Sequence, residues 1–328
     1  MRSLLLAAIA AGLAAAPVRA ADVDKYLPED AGLYIHITTK NFLASDVVRK
    51  AIPMAFDKFG DDLLPLIQLA KQFNPNAPDV PEDAIKQGIG ELKKPETIAK
   101  AFDAAKDFGP EIIVTGNPDA AGPESALVII KCSEAVKPEL IEGFIPFINN
   151  SGQAKVKSTK VGKTTVYELS APTQPQPVFA AVPEAGIICI GVSKTSVESA
   201  VKAASAKVDP ELKGLMGKRA DKDFLFVAAV KGKGADRQTV VGSLVLDKDI
   251  SAKVNATFGS AQEAKEKADE LTQHLKQMTE GLKGMLGDKA KDVSAQLDKM
   301  KATVNDKTVS FDGTIPGAVV EKLLAKDK

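Results

Sequence analysis

The chain of 328 residues balances 43 basic against 43 acidic side chains and contains no Trp, three Tyr, two His and two Cys. Neutral overall charge, with Lys supplying nearly all the cations and few aromatic stacking platforms, argues against nucleic acid as a partner. The length accommodates one large core or two domains of ordinary size.

Residues 1–20, "MRSLLLAAIAAGLAAAPVRA", read as a secretory signal peptide. Arg2 is the positive start, Leu4 to Ala16 the apolar run, and Val18-Arg19-Ala20 the small-residue site, with cleavage expected after Ala20. The run is too short to span a bilayer comfortably, no second run of that length follows, and no Cys near the cleavage point offers a lipid anchor. The expectation is an exported chain, periplasmic or extracellular. Removing Arg2 and Arg19 leaves Arg49, Arg219 and Arg237 as its only guanidinium groups and a net charge of about −2.

"YLPEDAGLYIHITT" reads as a turn and then a strand in which Leu33, Ile35 and Ile37 alternate with Tyr34, His36 and Thr38. That pattern places the aliphatic side inward and His36 exposed or half-exposed. Residues 40–108 look helical, with "GDDLLPLIQLAKQF" and "KPETIAKAFDAAKDFG" on either side of the proline-rich loop "FNPNAPDVPED". Strands follow in "PEIIVTGN" and "ALVIIKCS", then a helix in "PELIEGFIPFI" with Pro146 as a kink, then strands "AKVKSTKV" and "TTVYELS" turning at Gly162-Lys163.

After the extended "SAPTQPQP" comes the hairpin "VFAAVPEAGIICIGVS", turning at Pro183 to Gly186, and a helix for which Thr195 and Glu198 offer a capping box. "KDFLFVAAV" opens a second half. "VVGSLVLD" and "ISAKVNATFG" pair around Lys248-Asp249, a helix starts behind the capping pair Ser260 and Glu263, and a last hairpin turns at Asn305-Asp306. The helical pattern runs over about residues 260–300, with Ala264, Ala268, Leu271, Leu275, Met278, Leu282 and Leu286 on one side. Gly281, Gly284 and Gly287 each cost a helix about 1 kcal/mol relative to Ala, so a break near 281–289 and two pieces are expected. The polar side is mixed in sign and the apolar side lacks aromatics, which suits packing on a sheet better than contact with a membrane surface.

These elements give an α+β chain of two related antiparallel-sheet units, each ββαββ-like, with helices packed on one face. After the signal peptide, residues 21–205 form the N-terminal unit and 206–328 the C-terminal one, in separate sheets or one merged sheet.

Motifs that carry chemistry are scarce. "VGKTT" at 161–165 has Lys157 where a phosphate-binding loop needs Gly, and a strand follows it, so it reads as a hairpin turn. His36 and His274 have no partner at metal-binding spacing, and no cofactor is implied. The acidic pairs Glu29-Asp30, Asp61-Asp62 and Glu82-Asp83 have the chemistry of glycosidase carboxylates, but the last two fit helix starts. Asn149-Asn150-Ser151 and Asn255-Ala256-Thr257 match the glycosylation pattern. Cys132 and Cys189, in an oxidising compartment, form either a disulfide or two separate buried thiols.

The opening strand "LPEDAGLYIHI", the βα unit "VFAAVPEAGIICIGVSKTSVESAVKAA" and the helix "AQEAKEKADELTQHL" are similar to a loose group of exported bacterial proteins of unknown function. The resemblance implies location and architecture and carries no catalytic residue. With no catalytic residues identified, the first expectation is an exported, non-enzymatic binding or scaffold protein of the cell envelope, whose partner is an envelope protein or an apolar small molecule. The alternatives are a carrier holding a lipid or other apolar ligand between sheet and helix, and a hydrolase whose groups assemble only in space.

Overall fold

The structure, a computed structural model, describes residues 23–60, 81–105, 109–120, 122–132, 136–150, 154–172, 176–202, 208–287 and 290–325. The expected signal peptide, the expected helix from Asp61 and most of the proline-rich loop after it lie outside the described residues.

Twelve strands lie among the described residues: β1 (Leu33–Thr38), β2 (Glu111–Gly116), β3 (Leu127–Lys131), β4 (Lys155–Val161), β5 (Thr164–Ser170), β6 (Val178–Glu184), β7 (Ile187–Gly191), β8 (Leu225–Lys231), β9 (Gln238–Leu246), β10 (Ile250–Thr257), β11 (Lys301–Asn305) and β12 (Thr308–Ile315). They form one antiparallel sheet in the order β11-β12-β10-β9-β8-β1-β2-β3-β7-β6-β5-β4. At its centre β1 pairs with β8, so strands from both halves of the chain share the sheet. The left-handed turns fall where the sequence places them: Gly162 (φ 61°) between β4 and β5, Gly186 (φ 82°) between β6 and β7, and Asp306 (φ 50°) between β11 and β12.

Ten α-helices lie among the described residues: α1 (Thr39–Ala44), α2 (Asp46–Phe59), α3 (Glu82–Leu92), α4 (Pro95–Ala105), α5 (Pro138–Asn150), α6 (Lys194–Lys202), α7 (Pro210–Met216), α8 (Ala261–Leu286), α9 (Ala290–Leu297) and α10 (Gly317–Leu324). Cross-strand register assigns the packing to faces. His36 stands opposite Ile113 and Phe226, and Ile113 opposite Ile129, so these side chains share one side, the His36 face. Ile35 stands opposite Val114 and Val227 on the other, the Ile35 face.

Helices occupy both faces, not one as expected. Val197 and Ala200 of α6 and Leu212 and Leu215 of α7 join Tyr34, Ile113, Ile129, Cys189 and Phe226 in the main core on the His36 face. The cause is connectivity: the chain from β7 to β8 must cross β3, β2 and β1, and its helices bury the apolar side they cross. α5 packs on the Ile35 face, where Ile141 meets Ile188 and Val182. Ala264 and Ala268 of α8 meet Val309 on that same face.

α1 to α4 and α10 gather at one end of the sheet. Val47 N–H donates to Asp247 O at 2.9 Å, Thr39 Oγ1 donates to Pro110 O at 2.6 Å, and Gly317 N–H donates to the Asp249 carboxylate at 2.9 Å.

The start of α8 is capped as the sequence predicts: Ser260 Oγ accepts from Glu263 N–H at 3.1 Å, and the Glu263 carboxylate reaches back to Gly259 N–H at 3.2 Å. The box expected at Thr195 does not form, because α6 begins at Lys194 and takes Thr195 into its first turn. Glu198 instead pairs with Lys194 and Lys202, each at 3.6 Å. α8 runs through Gly281 and Gly284 and stops at Gly287 (φ 55°), giving the expected two helical pieces. Its 26 residues span about 39 Å, against about 27 Å for the eight of β12, so the helix overruns the sheet. Ala264 and Ala268 are buried, whereas Met278, on the same stripe, is 56% exposed. Leu271, Leu275 and Leu282 of the stripe are half-buried, so its burial is complete only in the first turns. Among the described residues no helix is long and apolar enough to cross a membrane.

Candidate apolar binding face

β1 is oriented opposite to its sequence reading. Tyr34 and His36 are buried, His36 to 3% exposure, while Leu33, Ile35 and Ile37 remain half-buried. Burying an imidazole and a phenol is costly unless each finds a partner, and here each does. Glu111 on β2 accepts from His36 Nε2 at 3.1 Å, and its other oxygen accepts from Lys131 Nζ on β3 at 3.1 Å. Thr38 Oγ1 lies 3.3 Å from His36 Nδ1, so a proton on Nε2 suits both contacts. The hydrogen bond from His36, with that from Lys131 and the lysine's charge, holds the Glu111 carboxyl down at about 2 against the opposing effect of burial. The His36 ring stacks on Tyr34, centroids 6.1 Å apart and planes within 8°. Burial pushes the Tyr34 phenol up to about 12, and its oxygen accepts from Arg219 Nη1 at 3.1 Å.

This constellation contains a hydroxyl, an imidazole and a carboxylate in sequence, the parts of a nucleophilic relay. Its geometry is that of a structural tie. The imidazole lies under the main core with almost no accessible surface, and Lys131 already shares the carboxylate. The groups join three neighbouring strands at fixed register. Thr115, opposite Tyr34 on the same face, keeps a buried hydroxyl without a partner.

The reversed orientation leaves the aliphatic side of the sheet on the other face. Leu33, Ile35 and Ile37 on β1, Ile112 and Val114 on β2, Val128 and Ile130 on β3, Leu225, Val227 and Ala229 on β8, and Val240 and Leu244 on β9 all share the Ile35 face. Every one of them is half-buried. On the opposite side of the same strands, Ile113, Leu127, Ile129, Phe226 and Ala228 are fully buried. The floor is therefore continuous, aliphatic and uncharged, and among the described residues it is less completely covered than the opposite side of the same strands. α5 stands toward its β4 side, α8 toward its β11 side, and the α1–α4 group at one end. The floor residues escaped the sequence reading; continuous runs such as "EIIV", "LVII" and "LFVAAV" do signal strands apolar on both sides, which is normally the mark of full burial.

The other sequence candidates are dispersed. Cys132 and Cys189 are free thiols on opposite faces: Cys189 belongs to the main core with Ile129, Cys132 to the cluster with Ile188 and Val182. A bridge between them would have to pass through the sheet. Burial pushes their thiols up to about 11 and about 12, and Cys132 Sγ donates to Gly186 O at 3.3 Å. His274 is exposed on α8, and Glu82 and Asp83 begin α3. Asp61 and Asp62 lie outside the described residues, as does Ser151 of the first glycosylation pattern, while Asn255 is exposed on β10.

All three arginines of the described chain are committed: Arg49 to Asp103 at 2.9 Å, Arg219 to Tyr34 at 3.1 Å, and Arg237 to Glu211 and, at 2.6 Å, to Asp209. No group of three or more His, Cys, Asp or Glu side chains among the described residues could hold a metal ion. No protein-family model, no curated protein and no solved structure matches the chain.

Proposed function

We propose that the protein is an exported, non-enzymatic binding protein of the cell envelope, and that its ligand is an aliphatic chain, such as a lipid acyl group, lying on the Ile35 face. The observation that carries this reading is the inversion in β1, which buries Tyr34 and His36 and leaves Leu33, Ile35 and Ile37 on the half-open side. Sequences break local patterning of this kind chiefly at functional sites. The floor residues are Leu, Ile, Val and Ala with no aromatic anchor, which suits a smooth hydrocarbon better than a protein partner, whose hot spots favour Trp, Tyr and Arg. Each buried methylene contributes about 0.8 kcal/mol, so about ten of them supply roughly 8 kcal/mol before the cost of association.

The element order supports a paired origin for the floor, with the chain read as the two related units 21–205 and 206–328. β2-β3-α5-β4-β5 and β9-β10-α8-α9-β11-β12 follow one ββαββ-like plan, with β1 and β8 as opening strands. In this reading β6 and β7 are inserted between β3 and β5, and the equivalent helices α5 and α8 flank one floor.

Native mass spectrometry of protein purified from its own host, combined with displacement of a fluorescent fatty acid, tests the proposal. The expected result is a bound aliphatic mass released on denaturation, and probe affinity at least tenfold weaker in Val227→Asp. A consistently unliganded mass together with no saturable probe binding overturns it.

A further inference from the structure

On the C-terminal side of the sheet the His36 face is polar, and no described helix packs on it there. Register sets its side chains in rows across β11, β12 and β10: Lys301 opposite Asp312 opposite Lys253, and two residues along, Ser310 opposite Asn255. Together with Lys299 these line an open surface recess of about 390 Å³. Lys253 pairs with Asp312 at 3.2 Å, while Lys299 and Lys301 have no carboxylate partner among the described residues. Ser310 Oγ donates to Asn255 Oδ1 at 2.8 Å, which leaves the Asn255 amide hydrogens uncommitted beside the two lysines. Three ammonium groups against one carboxylate, with amide donors alongside and no guanidinium, suit a tetrahedral oxyanion held by point charges and single hydrogen bonds.

We propose that this recess binds a phosphate monoester or diester, its oxygens held by Lys299, Lys301 and the Asn255 amide. The site lies across the sheet from the aliphatic floor and stands independently of it. Two sources present the same chemistry, a soluble phosphorylated metabolite and a phospholipid headgroup.

The test is titration of the purified protein with glycerol 1-phosphate at constant ionic strength, with chloride replacing phosphate in the blank. A parallel arm measures sedimentation with vesicles of phosphatidylglycerol and of phosphatidylcholine. Saturable binding is expected in at least one arm, weakened tenfold or more in Lys299→Ala/Lys301→Ala and changed less than twofold in Lys155→Ala/Lys157→Ala on the β4 edge. Glycerol 1-phosphate binding without vesicle binding identifies the soluble source, and preference for phosphatidylglycerol vesicles identifies the headgroup. The absence of saturation in both arms overturns the site, as does an equal loss in the β4 control, which would reduce it to diffuse lysine electrostatics.

Discussion

Glu111 accepts from His36 Nε2 at 3.1 Å across the β1–β2 pair, a contact that fixes which side of β1 is buried. Without that carboxylate, an imidazole under the core would carry an unmet desolvation cost, and the aliphatic side of the strand would compete for the interior.

Acid should therefore loosen the sheet centre. Glu111 is held at about 2 against an ordinary value of 4.5, so the unfolded chain takes up its proton first. The contribution is fully present above pH 4.5 and is lost as pH falls toward 2; it amounts to about 3 kcal/mol. Glu111→Gln should lower stability at pH 7 by about that amount, because it leaves buried Lys131 without its counter-charge, and should flatten stability over the acid range. Urea unfolding at pH 7 and at pH 3 checks both, and an unchanged acid dependence in the variant contradicts the assignment.

Both cysteines should titrate as thiols. Unreduced protein in denaturant is expected to take up two equivalents of a thiol reagent, while the folded protein reacts slowly because burial raises both groups to about 11 and about 12. A mass increase of two hydrogens on reduction would reveal a bridge instead.

The two faces of β2 should respond differently to mutation. Ile113→Ala empties a fully buried position on the His36 face and should cost about 2–5 kcal/mol. Val114→Thr, one residue on, alters the half-open floor and should cost about 1 kcal/mol or less while weakening an aliphatic probe. Equal destabilisation by the two would show that the floor is ordinary core. Chemical denaturation and probe titration on the same preparations separate the two effects.

Glycine substitutions offer a paired test of opposite sign. A Cβ at Gly281 in α8 meets nothing within 4 Å, so Gly281→Ala should raise stability by up to about 1 kcal/mol. At Gly317 the Cβ would stand 2.2 Å from Lys248 O, a backbone atom with little room to move, and Gly317→Ala should cost about 1–3 kcal/mol. Thermal unfolding of the two variants measures the contrast directly.

Strands, turns and the halting of α8 were legible in the sequence because each depends on neighbours in the chain. Gly162, Gly186 and Gly287 adopt positive φ where the sequence placed turns or a helix stop. The alternation in β1 was legible too, but its direction was not. Whether Tyr34 and His36 or Leu33 and Ile37 face inward depends on Glu111 and Arg219, which lie far along the chain. The cysteines illustrate the same limit: each sits in an apolar strand, and only register reveals that the strands present them to opposite sides. The apolar floor was hidden for a related reason, since a run apolar on both faces looks identical whether the second face is covered or open.

The pairing of β1 with β8 also governs how the chain assembles. Strands at residues 33–38 and 225–231 meet only after most of the sequence between them is available, so the centre of the sheet is its most non-local contact. Until then β1 has a bare edge on the side that β8 will occupy, carrying "LYIHIT", a segment rich in sheet-forming residues. An incomplete chain, or one leaving a ribosome or a translocation channel from its N-terminus, exposes that edge for as long as residues 225–231 are missing. A molecule built around such a late seam depends for its solubility on how quickly its second half arrives.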